Sequence, residues 1–558
     1  MDPQAVRRLL RARDLAEIPD PETREWVGGL VTAMEALLEE VSLLKRELAA
    51  ARRDQGPGSG RPPGSARGGR GTASRDRSRP SRANEPRQRV QRAPRAALAI
   101  HAEIVIPVDR TLLDGPGWQR WGYEDRVIQD VRLTAHHTRF RLEKWYSPSQ
   151  RRTVVAPLPP GYRDGGYGPH VKALVLQLGH HCRVTVDPLT TFVQQCGVSL
   201  SAATVSAWLS GRDLLAPFHA EAEAVFRSGM ATASWIGHDV TPTKLNGKAW
   251  ACHGLSNERF SSFFTLPGQD GERTLLAFQG LLPLCYRWDA GAAAALRQAG
   301  APVTQAVRQQ FAGLKYGRSW TAAGFARFLK RNLPQIRPPT EIKLRQILAV
   351  AGYRHRKDCA TPWITIKDDA PASYGLTPKV QLCWWHEDRH YEQLKLPPAG
   401  VKELAKFRRG YWQLYRLIKR LRPPADPAET KRYQQRADQL RQRFHCLLTW
   451  KCRSRRLAKR MRLTLRKADD LLTVLDHPGI PMHNNGSERT LRPRARKRDQ
   501  SYQTRSLSGL AAWDTMQSLM ETTRKLGLNF QQYLMDRLTD RHQIPPLAAL
   551  VAAPAAAG

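Results

Sequence analysis

The chain has 558 residues, with 89 Lys plus Arg against 50 Asp plus Glu, a net charge of +39 and a pI near 10.6. That cation excess excludes an ordinary metabolic enzyme and points to a polyanionic partner, nucleic acid before membrane. With 41% apolar residues the chain can bury real cores, yet no apolar run approaches the ~18 residues of a membrane span. The start, MDPQAVRRLL, has no signal-peptide core, and eight scattered cysteines without a CxxC pair read as free thiols, so a cytoplasmic, DNA-associated protein is expected.

After a short segment at 1–22, residues 23–53 carry Leu30, Leu37 and Leu44 seven apart, with Met34, Val41 and Leu48 between them. This heptad pattern predicts a coiled coil and hence a homodimer or higher oligomer. Residues 51–97 hold 13 Arg against three acids and almost nothing apolar, so 54–97 reads as a disordered basic linker. Arg rather than Lys supplies all of its positive charge, which suits phosphate. Between 98 and 178 the pattern turns to period two, as at Val127, Gln129, Val131 and Leu133 and in RFRLEKWYS, and predicts a small β-rich module. Residues 179–228 read as helical, with helix-turn-helix spacing around Gly197 and Ser199 or Ser201 as cap.

From 229 to 390 three strand-like segments (ASWIGHDV, KAWACHGL after an NG turn, RFSSFFTLP) precede about ninety helical residues and two further runs, PWITI and VQLCWW. Such an order predicts a mixed five-stranded α/β sheet. A basic helical insertion follows at 391–480. Within it, KCRSRRLAKRMRLTLRK has nine Lys or Arg in seventeen residues and an apolar stripe at Leu457, Met461 and Leu465, leaving Arg455, Lys459 and Arg462 to face phosphate. Residues 481–540 supply the last core helices, and 541–558 read as a flexible tail.

Three acids stand out by position: Asp239 at the end of the first strand, Asp368 just after the fourth, and Glu488 opening the helix NNGSERTLRPRARKR. Acids at the carboxyl ends of adjacent strands lie side by side, and one from a helix packed across that edge completes a cluster. Clustered carboxylates repel unless cations hold them, and Mg²⁺ suits such hard oxygen ligands. Two such ions can serve in-line attack on phosphorus. Around Glu488, Arg489, Arg492, Arg494, Arg496, Lys497 and Arg498 offer contacts to DNA phosphates. Each acid taken singly reads far better as a surface or capping residue; only their arrangement argues otherwise.

The segments HDVTPTKLNGKAWACHG (238–254), DDAPASYGLTPKVQLCWWHEDRHY (368–391) and HNNGSERTLRPRARKRDQSYQTRSLSGLAAWDT (483–515) resemble the transposases of the insertion sequence 66 family, enzymes of the DDE type. The resemblance implies an RNase H-like core broken by a helical insertion, and strand cleavage and transfer on DNA ends and target. It assigns the acid triad and metal ligands to Asp239, Asp368 and Glu488, with two Mg²⁺ ions that Mn²⁺ replaces, and accessory transposition proteins as further partners. Cys383 and His386 match the family's C-x-x-H element. With His390 they have a zinc-like spacing, but no fourth ligand is evident, and His386 reads better as a polar contact at the site's edge. Two features depart from the family: Val240 stands where many relatives carry an acid, and no cysteine precedes Cys182. Rival readings are a DNA-binding regulator descended from a transposase, which does not need the acids, and an RNase H-like nuclease that does not join.

Overall fold

The computed structural model describes residues 100–553 except 110–111, 114–117, 121, 160, 163–165, 301–302 and 371–374. The coiled-coil segment and the basic linker lie outside the described residues. Among those described, no helix is long and apolar enough to cross a membrane.

The expected β-rich module reduces to one antiparallel hairpin, β1 (Lys144–Ser147) with β2 (Arg152–Val155). The alternating run 126–133 forms no strand, and Val131 remains 77% exposed. Alternation builds a sheet only where a second layer covers the apolar face, and among the described residues the run stays exposed.

Four helices follow: α1 (Pro169–Leu176), α2 (Val186–Gln195), α3 (Ala202–Ser210) and α4 (Arg212–Thr232). Gly197 takes φ +92° in the turn before α3. Ser201 rather than Ser199 caps α3, its hydroxyl accepting from the Thr204 amide. Val175, Leu189, Val193, Leu200 and Val205 close a small core among α1, α2 and α3. By contrast, α4 joins the central core, where Leu215, Phe218, Val225 and Met230 pack with Ile236 and Leu255 of the sheet.

The central sheet has the order β5-β4-β3-β8-β9. Its strands are β3 (Trp235–Leu245), β4 (Lys248–Ser256), β5 (Ser261–Leu266), β8 (Ile364–Lys367) and β9 (Lys379–Leu382). The first three form an antiparallel meander, while β3, β8 and β9 run parallel, so the sheet is mixed. Asn246 and Gly247, both at positive φ, make the tight turn from β3 to β4.

The stretch between β5 and β8 holds α5 (Gly271–Phe278), α6 (Ala290–Gln298), α7 (Gln305–Ala312), α8 (Ala322–Asn332) and α9 (Pro338–Arg354). It is not wholly helical. A short hairpin of β6 (Cys285–Arg287) and β7 (Ser319–Thr321) interrupts it, with Tyr286 buried in the common core.

The run VQLCWW is strand only to Leu382. Cys383 is already the N-cap of α10 (Trp384–Glu392). The insertion then contributes α11 (Pro398–Arg420), α12 (Pro427–Thr449), α13 (Arg455–Leu465) and α14 (Ala468–Leu472). It has its own aromatic core of Trp384, Trp385, Tyr411, Trp412 and Phe444, closed by Leu457 and Met461.

The chain returns to the sheet as α15 (Asn485–Ser501) and α16 (Leu507–Lys525), followed by α17 (Phe530–Leu538) and α18 (Leu547–Ala552). The last helix corrects the expectation of a flexible tail from 541. Leu547 and Val551 are buried in the central core, and Ser228 of α4 donates to the Ala548 carbonyl.

Candidate active site

The period of a strand and the register of the sheet bring the three acids together. A Cβ on Gly237 would stand 2.3 Å from the Ser487 hydroxyl, so that face of β3 is the one α15 lies on. Asp239, two residues further, shares the face. Gly237 pairs with Ile366 across the parallel β3–β8 junction, so Asp368, two beyond Ile366, comes level with Asp239. Glu488 sits in the first turn of α15 above them. One expectation is corrected: Asp239 is not at the end of β3. The strand runs on to Leu245 as a two-stranded ribbon with β4, and Asp239 lies just past the stretch paired to β8.

Charge follows from this arrangement. The Asp239 carboxyl is pushed up to about 7, first by burial and then by the negative charges of Asp368 and Glu488. The Val240 amide, donating at 2.8 Å, and the Arg389 guanidinium oppose that rise. On Glu488, the buried Oε1 accepts no hydrogen bond; His386 Nε2 and Arg389 Nη2 approach it only to 3.5 and 3.9 Å. His386 and Arg389 thus stand at ion-pair distance from Glu488 but leave its Oε1 without a hydrogen bond. An added divalent cation fits that donor chemistry. Among the described residues, however, no three His, Cys, Asp or Glu side chains are already gathered to hold a metal ion.

The neighbouring acid Asp369 is engaged elsewhere, in an ion pair with Lys467 of the insertion. Beside it the Lys367 ammonium, lowered to about 7 by burial, donates to the Ala370 carbonyl at 2.7 Å.

The C-x-x-H element grips the start of the Glu488 helix. Burial raises the Cys383 thiol to about 11, and its sulfur accepts from the Asn484 amide at 3.3 Å. Asn484 in turn donates its side-chain amide to the His238 carbonyl at 2.8 Å, tying α15 to β3. Ser487 meets Ser256 at 3.1 Å, and Leu491 rests on Gly254, Cys252 and Phe263. His386 faces Glu488, whereas the charges acting on His390 come from Arg460 and Glu387. The three residues of zinc-like spacing thus face different neighbours.

The basic residues separate by helix phase. Arg489, Arg492 and Arg496 are exposed along α15. Arg494 is not, which corrects its assignment to DNA. It is 2% exposed, paired with Asp514 and bonded to Thr265, because it falls on the stripe of Ser487, Thr490 and Leu491 that packs on the sheet. Lys497 is half-buried over the Trp513 ring at 5.0 Å, and Arg498 donates to the Pro242 carbonyl at 2.7 Å. On α13, Arg455, Lys459 and Arg462 are exposed while Leu457 and Met461 are buried. Arg460 of that helix is neutralised by buried Glu387.

Sequence reasoning missed Gly237, Arg389, Asn484 and Ser487. A glycine inside a strand marks close approach of another backbone, and that signal stood beside Asp239 unread. Arg389 lay one turn after His386, a spacing that puts both on one helix face.

Fold and site together define a mixed α/β protein with an acidic site where β3, β8 and the first turn of α15 meet. Residues 365–512 match the family model of the transposase IS66 family, and the chain carries a domain of that family. The matched segment contains Asp368, Cys383, His386 and Glu488; Asp239 lies before it and stands on the sheet register. The chain is also similar to the uncharacterized protein y4jO of Sinorhizobium fredii, at 39% identity over 176 residues. That alignment takes in 31% of this chain and 53% of the relative, so the chain spans about half the length of the curated relative it matches.

Proposed function

We propose that this chain is a DDE-type transposase of an insertion element, built on an RNase H-like core, that cuts DNA at the element's ends and joins those ends to target DNA. The observation that carries the reading is the meeting of Asp239, Asp368 and Glu488 from three elements at one sheet edge, against their own repulsion. A fold tolerates such a corner only with a compensating use for it.

Asp239, Asp368 and Glu488 would hold two Mg²⁺ ions. When bound, such ions activate a water or a 3′-hydroxyl and stabilise the leaving oxygen of a phosphodiester. The remaining work belongs to the chain. Arg489, Arg492 and Arg496 run away from Glu488 along one helix and neutralise successive phosphates, which fixes the strand in the site. Arg389 and His386 stand at the edge, where they limit how far Glu488 can swing. Arg455, Lys459 and Arg462 extend the phosphate-binding surface onto the insertion. The helices α2 and α3 are the candidate reader of the end sequence, and the heptads at 23–53 the candidate dimer contact.

The decisive experiment supplies labelled DNA ends from the sequence bracketing the gene, a supercoiled target and Mg²⁺. Cleaved 3′-ends covalently joined to target are expected. Cleavage without joining would leave a nuclease, and binding without cleavage a DNA-binding regulator.

A further inference from the structure

Tyr502, immediately after α15, takes φ +59° and ψ −46°. The Gln503 amide reaches back to the Ser501 carbonyl at 2.6 Å, closing a three-residue turn of the rare φ-positive kind. For a tyrosine this backbone is costly and persists only where its surroundings over-determine it. They do so here. The β3–β4 turn clamps the segment: the Asn246 amide donates to Thr504, Thr504 donates to Lys244, and the Gly247 amide donates to the Gln503 side chain.

All this bonding holds the tyrosine outward rather than burying it. Tyr502 remains 65% exposed, with the Lys244 ammonium 4.5 Å above its ring and bonded to its hydroxyl at 2.9 Å. Lys248, which closes the same β3–β4 turn, and Arg505, three residues on, are exposed, as is the acid Asp499 three residues before. A hydrophobic clip would hide the ring; a strained, exposed ring with a lysine ammonium on it is a surface for a planar anion-bearing partner. Tyr502 lies fourteen residues beyond Glu488, or roughly 21 Å at about 1.5 Å per residue. That span is shorter than one turn of duplex, so DNA long enough to engage Arg489, Arg492 and Arg496 is also long enough to reach Tyr502.

We propose that Tyr502 is a stacking residue: its ring packs against a base or the terminal base pair of DNA lying along α15, with Lys244 on a flanking phosphate. This rests on the DNA-binding reading above. Stacking needs the ring and not the hydroxyl, whereas a structural clip to Lys244 needs the hydroxyl.

The test uses the full chain and a mixed-sequence duplex at low salt, with affinity read by fluorescence anisotropy. Tyr502→Ala is expected to weaken binding about ten-fold, in the range of one base–aromatic stack, while Tyr502→Phe stays close to wild type. An Ala variant that binds like wild type overturns the proposal, as does a Phe variant as weak as Ala. Independently of any variant, wild-type protein irradiated with duplexes scanned by 5-iodouracil should crosslink through Tyr502; crosslinks that avoid it also overturn the proposal. If wild type fails to bind the duplex at all, the transposase reading falls first and this inference with it.

Discussion

At Asp239 burial and charge act in the same direction, and the consequence is measurable without any metal. A carboxyl whose folded value is about 7 against an ordinary 3.8 opposes folding wherever it is ionised. The penalty is full above about pH 7, shrinks as the pH falls through that value, and vanishes near the ordinary carboxyl range; roughly 4 kcal/mol is its upper bound. In EDTA at alkaline pH, Asp239→Asn should therefore melt several degrees above wild type, and the gap should close on acidification. Equal melting temperatures across the range would mean that the corner is not strained by charge. The positions of Asp368 just after its strand and of Glu488 in the first turn of its helix were legible in the sequence because they are local facts, whereas Asp239 was set at the end of a strand that runs on to Leu245. The role of Arg494 was not, since only helix phase against the sheet separates it from Arg492 and Arg496. Cys383 was similarly ambiguous: a C-x-x-H spacing cannot reveal that its sulfur faces the Asn484 amide.

Among the elements, the packing of α15 on β3 decides whether Glu488 reaches the two aspartates. Gly237 makes that contact possible, since a Cβ there would lie 2.3 Å from the Ser487 hydroxyl and 3.3 Å from Asn484. Gly237→Ala should destabilise the fold by about 1–3 kcal/mol, as overpacking does, and depress cleavage. Adding Ser487→Ala removes the clashing oxygen and should restore most of both; a double variant no better than the single would show that α15 is held elsewhere. The five strands and their succession along the chain could be read from strand-like runs and the NG turn, since each is bounded by local signals, whereas their order in the sheet could not. The run 126–133 misled because alternation records a capacity for pairing, and among the described residues no strand pairs with it. The hairpin β6–β7 and helix α18 escaped notice because each is short and stabilised by tertiary burial of Tyr286, Leu547 and Val551.

For the whole molecule, a net charge of +39 dictates the style of binding. With six to ten phosphates neutralised, affinity for duplex DNA should fall about 10³–10⁵-fold between roughly 50 and 200 mM salt. Deleting 51–97, with its 13 Arg, should flatten that dependence while leaving any sequence preference in place; an unchanged slope would remove the linker from the interface. The heptads at 23–53 and the Arg-rich run at 54–97 were read as patterns of spacing and composition, lie outside the described residues, and await such solution measurements. The central claim concerns the acids, and one comparison reaches it most directly: Mg²⁺-dependent nicking and joining by Asp239→Asn, Asp368→Asn and Glu488→Gln beside Asp369→Asn. Each amide keeps the shape and removes one charge, so DNA binding should persist in all four. The first three should lose nicking and joining, while Asp369→Asn, whose partner is Lys467, should retain much of its activity. Cleavage by all three triad variants, or its loss only at Asp369, would contradict the account.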